Sequence, residues 1–130
     1  MKFVTLSTLS TFVASALAAD CFGIVNKGLA QMADPYWDAR YAMCHNEPNT
    51  GCGWQKECST YASKNFGPGG KLKLQVTLSR KYTGNKEGFK DCWRATEDMI
   101  NQCVKGQERY VSTWTYNGQL YQFDAVVVGA

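Results

Sequence analysis

Six cysteines, all downstream of a stretch that reads as a secretion signal, constrain this chain more than any other feature of its sequence. Residues 1–19 carry a positive charge at Lys2, an uncharged apolar and hydroxylated run from Phe3 to Leu17, and the small-residue exit Ala16-Leu17-Ala18. That pattern places cutting after Ala18 or Ala19. The run is too short, and too rich in Ser and Thr, to span a bilayer. Cys21, Cys44, Cys52, Cys58, Cys92 and Cys103 would then all enter an oxidising compartment, where an even set of thiols is expected to form disulfides. Six thiols allow 15 pairings, and spacing does not choose among them. A zinc site would need paired C-x-x-C spacings with partner histidines. Here the closest spacing is Cys52 to Cys58 and His45 is the sole histidine, so neither a metal nor a cofactor is expected.

Residues 20–130 fit one cysteine-rich domain. A core of that size is modest, and disulfides are the usual supplement. The net charge of +3 is spread along the chain without a basic block, which argues against a nucleic-acid partner. No apolar run after residue 19 is long enough to cross a membrane, and no Asn-x-Ser/Thr acceptor occurs. The product is expected to be secreted and extracellular.

The pattern along residues 20–130 alternates between helical and strand periods. Phe22, Val25, Leu29 and Met32 share one helical face, although Gly23 and Gly28 each weaken a helix by about 1 kcal/mol relative to Ala. Asp34-Pro35 is an N-cap followed by proline at the first helical position, opening a helix to about His45. Glu47 to Gly53 reads as a loop, and Gln55 to Lys64 as a further short helix. Phe66-Gly67-Pro68-Gly69-Gly70 is a break, and Lys71 to Arg80 alternates as a strand with Leu72, Leu74, Val76 and Leu78 on one face. If that strand lies at an edge, it offers a route to a homodimer by sheet extension. Thr83 to Gly88 is a polar turn.

Phe89 to Val104 is the best helix. Cys92 and Cys103, 11 residues apart, project from one face and can staple it to what it covers. Cys44, Cys52 and Cys58 are expected to tether the polar loop near Trp54. Asn117-Gly118 is a strong two-residue turn joining strands Glu108–Tyr116 and Gln119–Val128. That turn places Tyr116 opposite Gln119, Trp114 opposite Tyr121, Ser112 opposite Phe123 and Tyr110 opposite Ala125. Helices, strand, helix and hairpin in this order suggest α+β, with helices packed on an antiparallel sheet.

Catalytic residue types are sparse. His45 ends a helix, where a cation suits the dipole. The nucleophile elbow Gly-x-Ser-x-Gly is absent. The acidic side chains fall at helix starts and wet faces rather than as a glycosidase pair. Aromatic side chains are abundant, with four Trp and seven Tyr. Rings offer large contact area at low entropic cost, and a pyranose stacks its C–H face on a ring while amides and carboxylates take its hydroxyls. The hairpin brings Trp114, Tyr116 and Tyr121 beside Asn117, Gln119 and Gln122, and the loop from Asn49 to Gln55 adds Trp54. The candidate glycan-binding residues are therefore Trp114, Tyr116, Asn117, Gln119, Tyr121, Trp54 and Asn49.

The stretch Asp91-Cys-Trp-Arg-Ala-Thr-Glu-Asp-Met-Ile-Asn-Gln-Cys-Val104, followed by Trp114-Thr-Tyr-Asn-Gly118 and an aromatic-rich last strand, resembles small secreted fungal proteins. It is similar to the family of mushroom lectins typified by the ink-cap lectin that binds fucosylated glycans containing N-acetylgalactosamine. The resemblance implies a single-domain α/β/α sandwich with an antiparallel sheet, a dimer made by joining sheets edge to edge, and metal-independent lectin activity. The expectation is a non-enzymatic lectin for N-acetylhexosamine-type glycans on glycoproteins or glycolipids. Its role would be defensive or cytotoxic, and its contact with membranes would run only through glycans. A membrane-active toxin acting through apolar helix faces is the alternative, and a small hydrolase built on His45 and a carboxylate is a weaker one.

Overall fold

The computed structural model describes residues 19–45, 57–82, 92–116 and 119–130. Five strands form one antiparallel sheet in the order β1-β4-β5-β3-β2. They are β1 Asp20–Val25, β2 Cys58–Phe66, β3 Leu72–Tyr82, β4 Arg109–Tyr116 and β5 Gln119–Gly129. Helix α1 spans Asp34–His45, and α2 spans Cys92–Met99 and continues as a π-helical segment, Ile100–Gly106. Residues 1–18, 46–56, 83–91 and 117–118 lie outside the described residues, and with them the expected signal segment, the expected loop Glu47–Gly53 and the expected turns Thr83–Gly88 and Asn117-Gly118.

One pairing follows from patterning alone. Along β4 and β5 the register pairs Tyr116 with Gln119, Trp114 with Tyr121 and Ser112 with Phe123, as an Asn-Gly turn requires. The pairing stops there, so Tyr110 does not meet Ala125; beyond Ser112, β4 pairs β1 and the far half of β5 pairs only β3. The β2–β3 hairpin turns through Gly67, Gly69 and Gly70, all at positive φ, where side chains other than glycine are strained.

Two expected helices are strands. Residues 20–25 form edge strand β1, in which Gly23 (φ 89°) lies within a register shift between Phe22 and Val25. The helical spacing survives only in the short 3-10 turn Leu29–Met32. Glu108, at φ 55°, caps that turn, its Oε2 accepting from the Gly28 and Ala30 amides at 2.8 and 3.3 Å. The expected helix over Gln55–Lys64 is replaced by β2, whose small inward residues Thr60 and Ala62 let α1 approach; the Thr60 hydroxyl donates to the Ala39 carbonyl at 2.7 Å. Nor is β3 an edge. It lies between β5 and β2, and the sheet edges are β1 and β2.

Both helices pack on the same sheet face. Tyr36, Ala39, Met43 and Cys44 of α1, and Cys92, Ala95 and Met99 of α2, join Leu74, Val76, Leu78, Tyr121 and Phe123 in one core. The Tyr36 ring meets Phe123 edge-on at 5.4 Å, and its hydroxyl donates to the Tyr110 carbonyl at 2.9 Å. Burial pushes the Tyr36 phenol well above its ordinary pKa, with Tyr110 and Asp124 adding to the shift. No described helix lies on the opposite face, so the described residues form two layers, without the second helical layer of an α/β/α sandwich.

Cys92 and Cys103 do staple their helix, each to a different neighbour. Cys92 bonds Cys44 of α1, and Cys103 bonds Cys21 of β1. Cys44 therefore ties helix to helix rather than tethering the loop near Trp54. Cys58 is also disulfide-bonded, and Cys52 lies outside the described residues. In the chain-entropy account, closing loops of 48 and 82 residues stabilises by about 4 kcal/mol each. A second clamp comes from Gln102. Its amide accepts from the Ala19 N–H at 2.9 Å and donates to the Ala19 carbonyl at 2.6 Å, holding the start of β1 on the segment after α2.

Candidate functional site: the open face of the sheet

Period-2 alternation sends every second residue of each strand away from the helices. In β4 and β5 the even positions of the first and the odd positions of the second face the core. That geometry decides the fate of the hairpin residues expected to bind glycan. Gln119 and Tyr121 are 0 % exposed, and Trp114 is half-buried against the core. A ring sealed under a helix cannot stack on a sugar, so Gln119 and Tyr121 are core residues. Trp114 shares their face. The Tyr116 side chain, Asn117, Trp54 and Asn49 lie outside the described residues.

The opposite face is solvent-exposed and holds a shallow groove of about 150 Å³, lined by Tyr61, Gln75, Thr77, Asp124, Ala125 and Val126. Three strands build it. Tyr61 of β2 stands opposite Thr77 of β3, which stands opposite Asp124 of β5. One step along the same strands, Gln75 stands opposite Val126. Tyr61 is 55 % exposed and Val126 51 %. Gln122, the next outward residue of β5, donates its amide to Asp124 Oδ2 at 2.8 Å, which orients the carboxylate. The groove thus combines one ring, one carboxylate, one amide, one hydroxyl and an apolar contact.

A second exposed feature lies on the helix layer. The Arg40 guanidinium sits 4.7 Å from the Trp93 ring centre and 5.3 Å from that of Trp37, and donates twice to the Trp93 carbonyl at 3.0 and 3.2 Å. Its partial burial lowers its pKa, against the opposing pull of Glu97. Tyr41 is 54 % exposed and stacks on His45 at 4.5 Å. The Arg40–Trp93 contacts hold α1 to α2, and the Tyr41–His45 stack lies within α1. His45 is exposed and occupied by that stack, and Glu47, the carboxylate nearest in sequence, lies outside the described residues.

Among the described residues, no group of three or more His, Cys, Asp or Glu side chains could hold a metal ion, and no helix is long and apolar enough to cross a membrane. The apolar helix faces that a membrane-active toxin would use are committed to the core. Comparison of the chain with protein-family models, curated proteins and solved structures returned no match.

Alternation did contain a signal for the groove. Gln75 and Thr77 fall on the wet parity of Lys71–Arg80, and Asp124 and Val126 on the wet parity of the last strand. Tyr61 carried no such signal, because its segment reads as helix.

Proposed function

We propose that this chain is a secreted, non-enzymatic glycan-binding protein whose sugar seat is the open-face groove. The observation that carries the reading is the meeting of the exposed Tyr61 ring with Thr77, Asp124 and Gln75 in adjacent strand positions. A pyranose lying on Tyr61 presents its C–H face to the ring, while its hydroxyls reach the carboxylate, amide and hydroxyl opposite. Val126 adds preference for an N-acetylhexosamine. The acetamide methyl packs on that exposed valine, its N–H donates to Asp124 and its carbonyl accepts from Gln75.

Magnitudes place a single sugar in the weak range. One stacked ring at about 1 kcal/mol and three hydrogen bonds at about 1 kcal/mol each give about 4 kcal/mol before the cost of association, so a single sugar binds no tighter than a Kd of about 1 mM. A lectin of this kind gains working affinity from repetition. A homodimer by sheet extension would use β1 or β2, the two edges. Oxidised protein applied to a glycan array should bind N-acetylhexosamine-bearing glycans, and Tyr61→Ala and Asp124→Asn should each remove the signal without lowering the melting temperature. An array with no glycan above background would sink the proposal.

The exposed Tyr41 and Trp93 rings beside Arg40 favour a second reading, contact with a membrane surface, because such side chains suit the headgroup region. Liposome leakage that persists in saturating free sugar, and falls in Trp93→Ala, would establish it in place of the glycan reading.

A further inference from the structure

The groove is one part of a longer polar track. On the same open face, Ser59 of β2, Ser79 of β3, Gln122 of β5, Thr113 of β4 and Asp20 of β1 stand in register, one from each strand. All five are at least partly exposed. This row crosses the entire sheet, and every member carries a hydrogen-bonding side chain. With strands about 4.8 Å apart, four steps span about 19 Å. The row lies beside Tyr61, Thr77 and Asp124, and the Gln122–Asp124 hydrogen bond joins the two.

We infer that the ligand is an internal stretch of a linear, uncharged oligosaccharide laid across the strands, and not the terminal sugar of a branched glycan. The inference rests on the glycan reading of the open face and specifies its ligand class. Three observations converge on it. A terminal-sugar site needs an enclosing wall, whereas this groove is shallow and passes into the polar row. Four of the row's five members, Ser59, Ser79, Gln122 and Thr113, offer repeated neutral donors and acceptors, as a polymer with one hydroxyl pattern per unit requires. Charge is balanced: Asp20 and Asp124 share the face with Lys73 and Arg109, and Lys81 lies 3.9 Å from Glu57. Neither an anionic nor a cationic polymer would be favoured. A single unit binds weakly, so contacts made by successive units are what raise affinity to a useful level.

The test is a titration of the oxidised full domain with β-1,4-linked N-acetylglucosamine oligomers of one to five units, followed by calorimetry or chemical shifts. Affinity should rise at least tenfold from one unit to four and then level off. Thr113→Val, which keeps the branched shape and removes the hydroxyl two strands away from Thr77, should lower the tetramer-to-monomer affinity ratio about threefold to tenfold. Unchanged melting temperature confirms that the fold is retained, and Ser79→Ala should act in the same direction. Equal affinity for monomer and tetramer, or binding confined to terminal sugars of branched glycans, overturns the inference and leaves the glycan reading standing. Absence of binding to any saccharide, on array and in titration, overturns both.

Discussion

The two faces of the sheet are built from the same strands and have opposite chemistry. On the covered face, Leu74, Val76, Leu78, Tyr121 and Phe123 are sealed by two helices that disulfides tie to each other and to β1. On the open face, the intervening residues of β3 are Lys73, Gln75, Thr77, Ser79 and Lys81, those of β5 mix Gln122 and Asp124 with Leu120, Val126 and Val128, and the exposed Tyr61 of β2 stands beside them. The stabilising free energy comes from the first face. The second is therefore left free for the binding role proposed above. In a domain of this size such a division is affordable only because disulfides supplement a thin core.

Substitutions in β5 make the sharpest contrast, since neighbouring residues face opposite ways. Phe123→Ala removes a wholly buried ring that touches Tyr36, and should destabilise by about 3–5 kcal/mol in denaturant unfolding. Val126→Ala, three residues on and half exposed, should stay within about 0.5 kcal/mol. Trp114→Ala separates the earlier expectation from the structure. It should lower the melting temperature as a core residue does, and an unchanged melting temperature with lost glycan binding would return the site to the hairpin.

The helix layer is expected to depend on its bridge. Replacing Cys44 and Cys92 together by serine should destabilise by about 2–4 kcal/mol, the usual range for such loops. Binding measured below the melting temperature should persist, because the groove is built by strands alone.

Legibility in the sequence followed which face decided the pattern. The β4–β5 register could be read because a type-specific turn fixes it and one wrong step would expose Tyr121 and Phe123. The strand expected over Lys71–Arg80, observed at Leu72–Tyr82, could be read because its leucines and valine alternate, although Arg80 falls on the apolar parity and is wholly buried. β1 could not, because an edge strand exposed on nearly every residue has no alternation, and Phe22, Val25, Leu29 and Met32 happened to repeat at helical spacing. β2 could not, because its inward positions are small or polar wherever α1 sits close. The groove draws on β2, β3 and β5. Its residues are remote in sequence, and only the strand order brings them together.

A smaller effect with a sign of its own comes from Tyr36. The folded state holds the phenol protonated above the pH at which an unfolded chain, near pH 10, would release the proton. The folded state then binds more protons than the unfolded state, so stability is full below pH 10 and falls as pH rises toward the folded value. Tyr36→Phe loses the hydrogen bond to the Tyr110 carbonyl, costing about 1 kcal/mol at neutral pH. It also removes the alkaline penalty, so the wild-type and variant unfolding curves should approach one another between pH 10 and 11. A difference constant across that range would mean that the phenol is accessible to solvent in the folded state.

The smallest effect on stability is expected where the effect on binding is largest. Tyr61 faces water from an edge strand, and β-propensity is the main thing its ring contributes to the fold. Tyr61→Ala should shift unfolding by less than about 1 kcal/mol and abolish retention on an N-acetylhexosamine column. Tyr61→Trp, which enlarges the ring and keeps strand preference, should retain or strengthen it. A stacking platform predicts that order, Trp at least equal to Tyr and both far above Ala, because the interaction scales with ring face. If Tyr61→Phe instead behaves like Tyr61→Ala, the hydroxyl and not the ring makes the contact, and the sugar lies edge-on against Thr77 and Asp124.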